Sequence, residues 1–236
     1  MGAKRPTNEF WLSPKLETFS SDQQSSLIIM KGHFTTRWAM QDFGIDVITN
    51  LRPTGSSIAW ALPGASKHSS RTSWSSIDLI KYLVWQVLRL NNPTEKQMAM
   101  RCSQFQTAQT VGDWMEIFKN ILNTLQGRAY IVADFSTLQA SLATTDGPNL
   151  IQELDNMVRA TTEAGMAAKL KIILLLYDAH WFRLIPPTLG GSVVPVKMAS
   201  SQRAHHRSMR QHAFTKNFPR QDNRGSGATK VASRRS

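Results

Sequence analysis

The chain has 236 residues, enough for one domain with tails or two small ones, and with 41% hydrophobic residues it can bury a sizeable core. Its 28 Lys+Arg against 16 Asp+Glu give a net charge of +12, which points to acidic partners, while the single cysteine, Cys102, excludes an internal disulfide and a cysteine-rich zinc site. The longest apolar run, IILLLY, falls far short of the ~20 residues of a membrane helix, and MGAKRPTNEF lacks both a signal-peptide core and a myristoylation pattern, so a cytoplasmic or nuclear chain with no membrane contact is expected.

Residues 1–25 read as an N-terminal extension. The stretch SLIIMKGHFTTRWA then opens an α/β domain spanning residues 26–198. Leu27–Met30 is a short continuous apolar run, the pattern of a strand buried on both faces. Thr36–Leu51 follows as a helix with Met40, Phe43, Val47 and Leu51 on one side. Pro53-Thr54-Gly55 is turn chemistry, and Ser57–Leu62 is a second strand. Ala65–Trp74 is polar and reads as a loop.

Ser75 and Asp78 form a capping-box pattern in which each side chain satisfies free N–H groups at a helix start. Ile80, Leu83, Val84, Val87 and Leu88 continue at helical spacing, and Tyr82 and Trp85 widen the apolar face, so this helix is expected to be heavily buried. Asn91-Asn92-Pro93 ends it. A polar helix is expected over Thr94–Ala108, where Cys102 reads as a small packed side chain. Asp113–Leu125 is a further helix, carrying Trp114, Ile117, Phe118, Ile121, Leu122 and Leu125 on one stripe, with Gly127 just beyond it.

Ala129–Asp134 reads as a third strand, and DGPNLIQELDNMVRA as a helix with Pro148 near its first turn. Leu170–Leu176 is a fourth strand. SVVPVKM supplies a fifth, which Pro195 confines to a sheet edge. Strands alternating with helices predict a mostly parallel sheet with helices on both faces. From Ala199 onward the chain is a basic, Gly/Ser-bearing tail expected to be disordered. Arg203, Arg207, Arg210, Lys216, Arg220, Arg224, Lys230, Arg234 and Arg235, with one acid, Asp222, supply +8 of the +12.

The first strand, Gly32 and the helix after it sit where a P-loop would. That loop needs a second glycine, a lysine for the β and γ phosphates and a hydroxyl for magnesium. Here those three places hold Arg37, Trp38 and Ala39. Asp134 closes the third strand, where a magnesium-linked acid belongs.

In the order and spacing of SLIIMKGHFTTRWAMQDFGIDVI, SSIDLIKYLVWQVLRL, GDWMEIFKNILNTLQGRAYIVADFSTL and KLKIILLLYDAH, the chain resembles the NACHT/STAND-type P-loop NTPase core found in many large fungal proteins. The resemblance covers roughly Leu27–Tyr177 and implies a three-layer P-loop-like sandwich. It places a vestigial nucleotide site at Gly32, Thr35, Thr36, Arg37 and Asp134. In the family the acid strand continues to a second acid pair, where this chain has Thr137 and Leu138. The family's Thr-Ser-Arg sensor falls on Leu175, Leu176 and Tyr177. With these groups gone, the resemblance implies a pseudo-NTPase that is not an enzyme and uses no cofactor.

Other constellations are weaker. Asp178 and His180 follow the fourth strand, at the edge where α/β sites lie, but no nucleophile accompanies them and a loop is the expected reading. His205, His206 and His212 lack Cys or acid partners at ligand spacing, so no metal site is expected. Trp181 and Phe182 are expected to pack over the sheet edge. The functional expectation is a non-catalytic scaffold or interaction module with an unidentified protein partner. One alternative is a nucleic-acid-associated protein whose tail binds phosphates without sequence preference; base stacking there has only Phe214 and Phe218 to draw on. A further alternative is an NTPase that still holds nucleotide through backbone N–H groups.

Overall fold

Continuous apolar runs can be buried on both faces only in a covered sheet, and these runs form one. The computed structural model describes residues 13–63, 74–90, 102–138, 149–165 and 167–197. Its strands are β1 (Ser26–Lys31), β2 (Ser57–Ala61), β3 (Gly127–Asp134), β4 (Ala168–Leu176) and β5 (Val193–Pro195). The sheet order is β2-β3-β4-β1-β5, with every pairing parallel. The four expected strands are therefore neighbours, and the fifth lies at an edge, where the missing N–H of Pro195 costs no ladder bond. The strand ending at Asp134 and the one leading to Gly32 are both interior, with β4 between them.

Alternation along each strand divides the core. Leu27, Ile29, Ala129, Ile131, Ala133, Leu170, Ile172, Leu174 and Leu176 face one layer of helices: α3 (Ser76–Leu90), α4 (Val111–Leu122), α5 (Leu150–Glu163) and the short α6 (Ala179–Arg183). Ile28, Met30, Ile58, Tyr130, Val132, Ile173 and Leu175 face the other, made by α1 (Pro14–Ser21) and α2 (Arg37–Leu51). The fold is an α/β three-layer sandwich of a parallel sheet with helices on both faces. Among the described residues no helix is long and apolar enough to cross a membrane.

Capping sets the helix starts. Ser75 and Asp78 exchange hydrogen bonds as expected: the Asp78 N–H donates to Ser75 Oγ at 3.1 Å, and the Ser75 N–H donates to Asp78 Oδ2 at 3.0 Å. The Ser75 hydroxyl, which donates to Asp78 Oδ2 at 2.7 Å, and then the Ser75 N–H hold the Asp78 carboxyl below its ordinary range. A second capping box, Thr110 with Asp113, starts α4 at Val111, two residues before the expected Asp113. The edge strand β2 is covered by Gln86 of α3, whose side chain accepts from Trp60 N–H at 3.1 Å and donates to Trp60 O at 2.7 Å. Those bonds occupy backbone groups on which another strand could otherwise pair.

Three expectations need correction. The α3 helix is not buried all round: Tyr82 and Trp85 are 39% and 55% exposed, because the helix buries only the stripe from Leu79 to Leu88. Cys102 is exposed rather than packed, since the helical stretch 102–107 turns it to solvent. The extension at 1–25 carries an unexpected helix, α1, which buries Leu16 and Phe19 against the α2 side of the sheet. Pro148, residues 94–101 of the polar helix, most of the Ala65–Trp74 loop and the tail, including Arg203, Arg207, Arg210, Lys216, Arg220, Arg224, Lys230, Arg234 and Arg235, lie outside the described residues.

Candidate functional site

Binding sites of open α/β sheets form beyond the carboxyl ends of the strands. Here the ends of β1, β3 and β4 and the start of α2 meet there. The Gly32 N–H donates to Leu176 O at 2.9 Å, carrying the β1–β4 ladder one residue past the strand. A tight turn follows: the His33 N–H donates to Thr36 Oγ1 at 2.9 Å, and the Thr36 N–H donates to His33 O at 2.8 Å. Phe34–Thr36 form a single 3-10 turn that runs directly into α2 at Arg37, whose φ of −50° is helical.

A phosphate-binding loop is wide because its N–H groups must ring an anion. This turn is narrow and full. A Cβ placed on Gly32 would lie 2.3 Å from Thr36 Oγ1 and 2.4 Å from Met40 Sδ. Both residues are buried, and the two atoms are 3.6 Å apart. The glycine is thus explained by close packing, and not by a left-handed conformation, since the positive-φ glycines among the described residues are Gly55, Gly127 and Gly165.

A direct test is Gly32→Ala, which should cost about 1–3 kcal/mol of stability through overpacking. In a Thr36→Ala/Met40→Ala background the same change should cost less than about 0.5 kcal/mol, because both atoms that meet the new Cβ have been removed. Equal unfolding midpoints for Gly32→Ala and the parent in urea would show the space to be open.

Asp134 ends β3 wholly buried on the α2 side. Its Oδ1 accepts from the Ser136 N–H at 2.8 Å, which caps the 3-10 turn Phe135–Thr137. Its Oδ2 accepts from the Tyr177 hydroxyl, at the end of β4, and from Gln41 Nε2 of α2 at 3.3 Å. Gln41 Nε2 also lies 3.3 Å from Tyr177 Oη, and Ser136 Oγ lies 2.6 Å from it. With its own proton on Asp134, the tyrosine accepts from both. Burial pushes the Asp134 carboxyl above the ordinary aspartate value, against the pull of Tyr177, Ser136 and Gln41. Burial, and then the Asp134 charge, push the Tyr177 phenol up strongly.

The sequence-derived site residues therefore separate into four settings. Gly32 and Thr36 pack on each other, Thr35 is exposed, and Arg37 turns its guanidinium between the rings of Phe34 and Trp38. Asp134 is bound into a network with Tyr177, Ser136 and Gln41, none of which the sequence reading assigned a role. In the sequence, Tyr177 only stands at the last place of the missing Thr-Ser-Arg sensor. The available signal was its position one residue past an apolar strand, beside an acid ending the adjacent strand.

A magnesium nucleotide would require a lysine, a hydroxyl at the helix start and a free carboxylate. Ala39 offers no oxygen, Trp38 no ammonium, and the Asp134 oxygens already accept three hydrogen bonds. The residues do not fit the group. Among the described residues no three His, Cys, Asp or Glu side chains gather as a metal site. Asp178 and His180 form no acid–base pair: Asp178 Oδ1 caps α6 by accepting from the His180 N–H at 2.8 Å. Trp181 is buried edge-on against Phe135, as a packing residue should be.

No family model matches the chain, and no curated protein does. Among solved structures, it is similar to the ORC2 protein of Aeropyrum pernix in its ADPNP–ADP complexes, at 13% identity over 83% of this chain and 47% of that one, with a TM-score of 0.47. It is similar to the ADP form of the same protein at 12% identity, covering 91% and 53% of the two chains, with a TM-score of 0.49. The ORC1 protein of Aeropyrum pernix in complex with DNA gives 12% identity, coverage of 90% and 50%, and a TM-score of 0.49. The chain spans about half the length of these proteins.

Proposed function

We propose that the chain is a non-catalytic scaffold on a P-loop NTPase-like core of the NACHT/STAND type, which acts by presenting surfaces to a protein partner. One observation carries this reading: the two places where nucleotide chemistry would occur are filled by the protein itself. Thr36 and Met40 occupy the space under Gly32, and Tyr177, Ser136 and Gln41 engage the Asp134 carboxylate. The backbone donors of Gly32, His33 and Thr36 are also spent on Leu176 O, Thr36 Oγ1 and His33 O. That argues against a residual NTPase holding nucleotide by N–H groups alone.

Most of the catalysis in phosphoryl transfer comes from charges aimed at the transferring group. A chain lacking the lysine, the hydroxyl and an available acid has little left to supply. Phosphate release from ATP or GTP with magnesium should match a protein-free control. Sustained release that Asp134→Asn abolishes would refute the proposal.

A second reading is favoured by where the charge lies. The described residues hold thirteen lysines and arginines against twelve aspartates and glutamates, so nearly all the net charge of +12 lies elsewhere, most of it after Ala199. Such a tail binds nucleic acid through phosphate neutralisation, without sequence preference and with strong salt dependence. Deleting residues 199–236 should abolish the duplex binding that the full chain shows at low salt and loses as salt is raised. Unchanged binding after the deletion would move the activity into the folded part.

A further inference from the structure

Helix α3 buries one stripe and leaves another uncovered. Asp78, Tyr82, Trp85 and Arg89 are spaced four, three and four residues apart, which puts them within about 60° of one another around the helix. All four are exposed, Trp85 at 55%. Theirs is the spacing of the seam along which two helices pair. The residues on either side are engaged within the chain. The Lys81 ammonium lies 5.0 Å from the Trp114 ring centre on α4, and Gln86 is held by both backbone groups of Trp60 at the β2 edge. The stripe between them has aromatic rings at its middle and opposite charges at its ends.

That order determines what fits it. In an antiparallel pair of identical helices about a twofold axis, residue i meets residue j and j meets i. An axis midway between Leu83 and Val84 sets Tyr82 opposite Trp85 of the second copy, and Asp78 opposite its Arg89. Ile77, half-buried, and Leu90, 46% exposed, form a further matched pair. No like charges meet, since Lys81 falls opposite Gln86. Both hydrogen bonds that Asp78 accepts from Ser75 go to Oδ2, which leaves Oδ1 for a cation. Among the described residues Arg89 has no ion pair. On the adjoining α4, Glu116 is paired with Lys119 at 3.9 Å and Asp113 is turned into the Thr110 capping box.

We propose that α3 pairs with α3 of a second copy of this chain, antiparallel and centred between Tyr82 and Trp85, to form a dimer. A second copy is then one partner in the scaffold reading, on which this pairing rests. Nucleotide binding decides that reading and does not enter the test below, so the two can fail separately. A seam of about three turns buries less than the ~800 Å² per partner of a tight complex, so the dimer should be weak, with a Kd of about 10–100 μM.

Sedimentation equilibrium of the full chain from about 1 to 500 μM, at about 0.15 M salt, should show monomer passing to dimer. Trp85→Ala should weaken association by at least about 30-fold, since the change is felt on both sides of the axis. Arg89→Glu puts acids at both ends of the seam and Asp78→Lys puts bases there, so each alone should associate at least about 10-fold more weakly than the parent. An equimolar mixture of the two should dimerise within about threefold of the parent, because each end then finds its opposite. Asp78→Lys also loses a helix cap; where circular dichroism shows it unfolded, Trp85→Ala and Arg89→Glu carry the decision. Three results would each overturn the proposal. They are a parent that stays monomeric across the series, as it would if another protein covers the stripe; Trp85→Ala or Arg89→Glu associating as the parent does; or a mixture of the folded charge variants no tighter than either alone.

Discussion

Lys171→Ala should destabilise the chain by about 2–5 kcal/mol, the range for truncating a long buried side chain in a packed core. Lys171 sits at the centre of β4 with none of its surface exposed. Its ammonium donates to Phe19 O at 2.9 Å and Ser26 Oγ at 2.8 Å, lies 5.1 Å from the Phe19 ring centre, and is 3.8 Å from Asp22 Oδ2. One side chain therefore fastens the carboxyl end of α1 to the sheet. Alanine would leave a void along the stem and strip the Phe19 carbonyl of this donor. Lys171→Met keeps the volume and removes the buried charge, so it should cost about 2 kcal/mol or less.

The pH dependence follows from the same burial. Desolvation lowers the Lys171 value below the ordinary 10.5, although Asp22 opposes it. The unfolded chain then binds the proton more tightly than the folded one. Stability contributed by this group rises with pH between the lowered folded value and 10.5. Relative to Lys171→Met, the parent should gain stability across that window. A constant difference between the two urea midpoints would contradict the assignment.

The second large effect is expected at Asp134. Asp134→Ala leaves the Tyr177 hydroxyl, the Ser136 N–H and Gln41 Nε2 without their shared acceptor, at roughly 1–3 kcal/mol for the first buried group so stranded and more for the set. Asp134→Asn keeps an oxygen for Ser136 and a similar volume. Its sign at neutral pH is set by linkage. Burial raises the folded carboxyl above 3.8, so the folded state binds the proton more tightly. The contribution favours the fold in acid and is lost as pH rises through the window above 3.8. Asparagine should therefore gain on the parent from acid to neutral pH and match or exceed its melting temperature at pH ~7. A melting temperature for Asp134→Asn as low as that of Asp134→Ala would sink this account.

The strands were legible because a sheet covered on both faces demands uninterrupted apolar runs, and LIIM, AYIVAD and LKIILLL supply them. Lys171 interrupts the last run, and only the tertiary position of α1 explains its burial. That helix was not legible: PKLETFSS is one short segment with two buried residues, and its stability comes from docking rather than propensity. The start of α4 was misplaced because Asp113 reads as a first residue when it is the third, with Thr110 as its cap. Tyr82 and Trp85 widen the apolar face of α3 in sequence without joining the core. Their rings project beyond the stripe that meets the sheet, and Tyr82 packs edge-on against Trp74 at 4.9 Å instead.

At the candidate site, sequence located the ends of β1 and β3 and the groups they lack. It could not reveal what had replaced them. Tyr177 and Gln41 are 136 residues apart and meet Asp134 only because β4 lies between β1 and β3 while α2 crosses above. Thr36 and Met40 fill the turn for a similar reason: the 3-10 start of α2 brings both side chains back under Gly32.

The central claim is that the protein's own side chains occupy the place of a magnesium nucleotide. Calorimetric titration of the purified full chain with ATP or GTP and magnesium tests it most directly. No heat of binding is predicted up to about millimolar nucleotide, for the parent and for Asp134→Asn alike. Micromolar, magnesium-dependent binding by the parent that Asp134→Asn removes would contradict it.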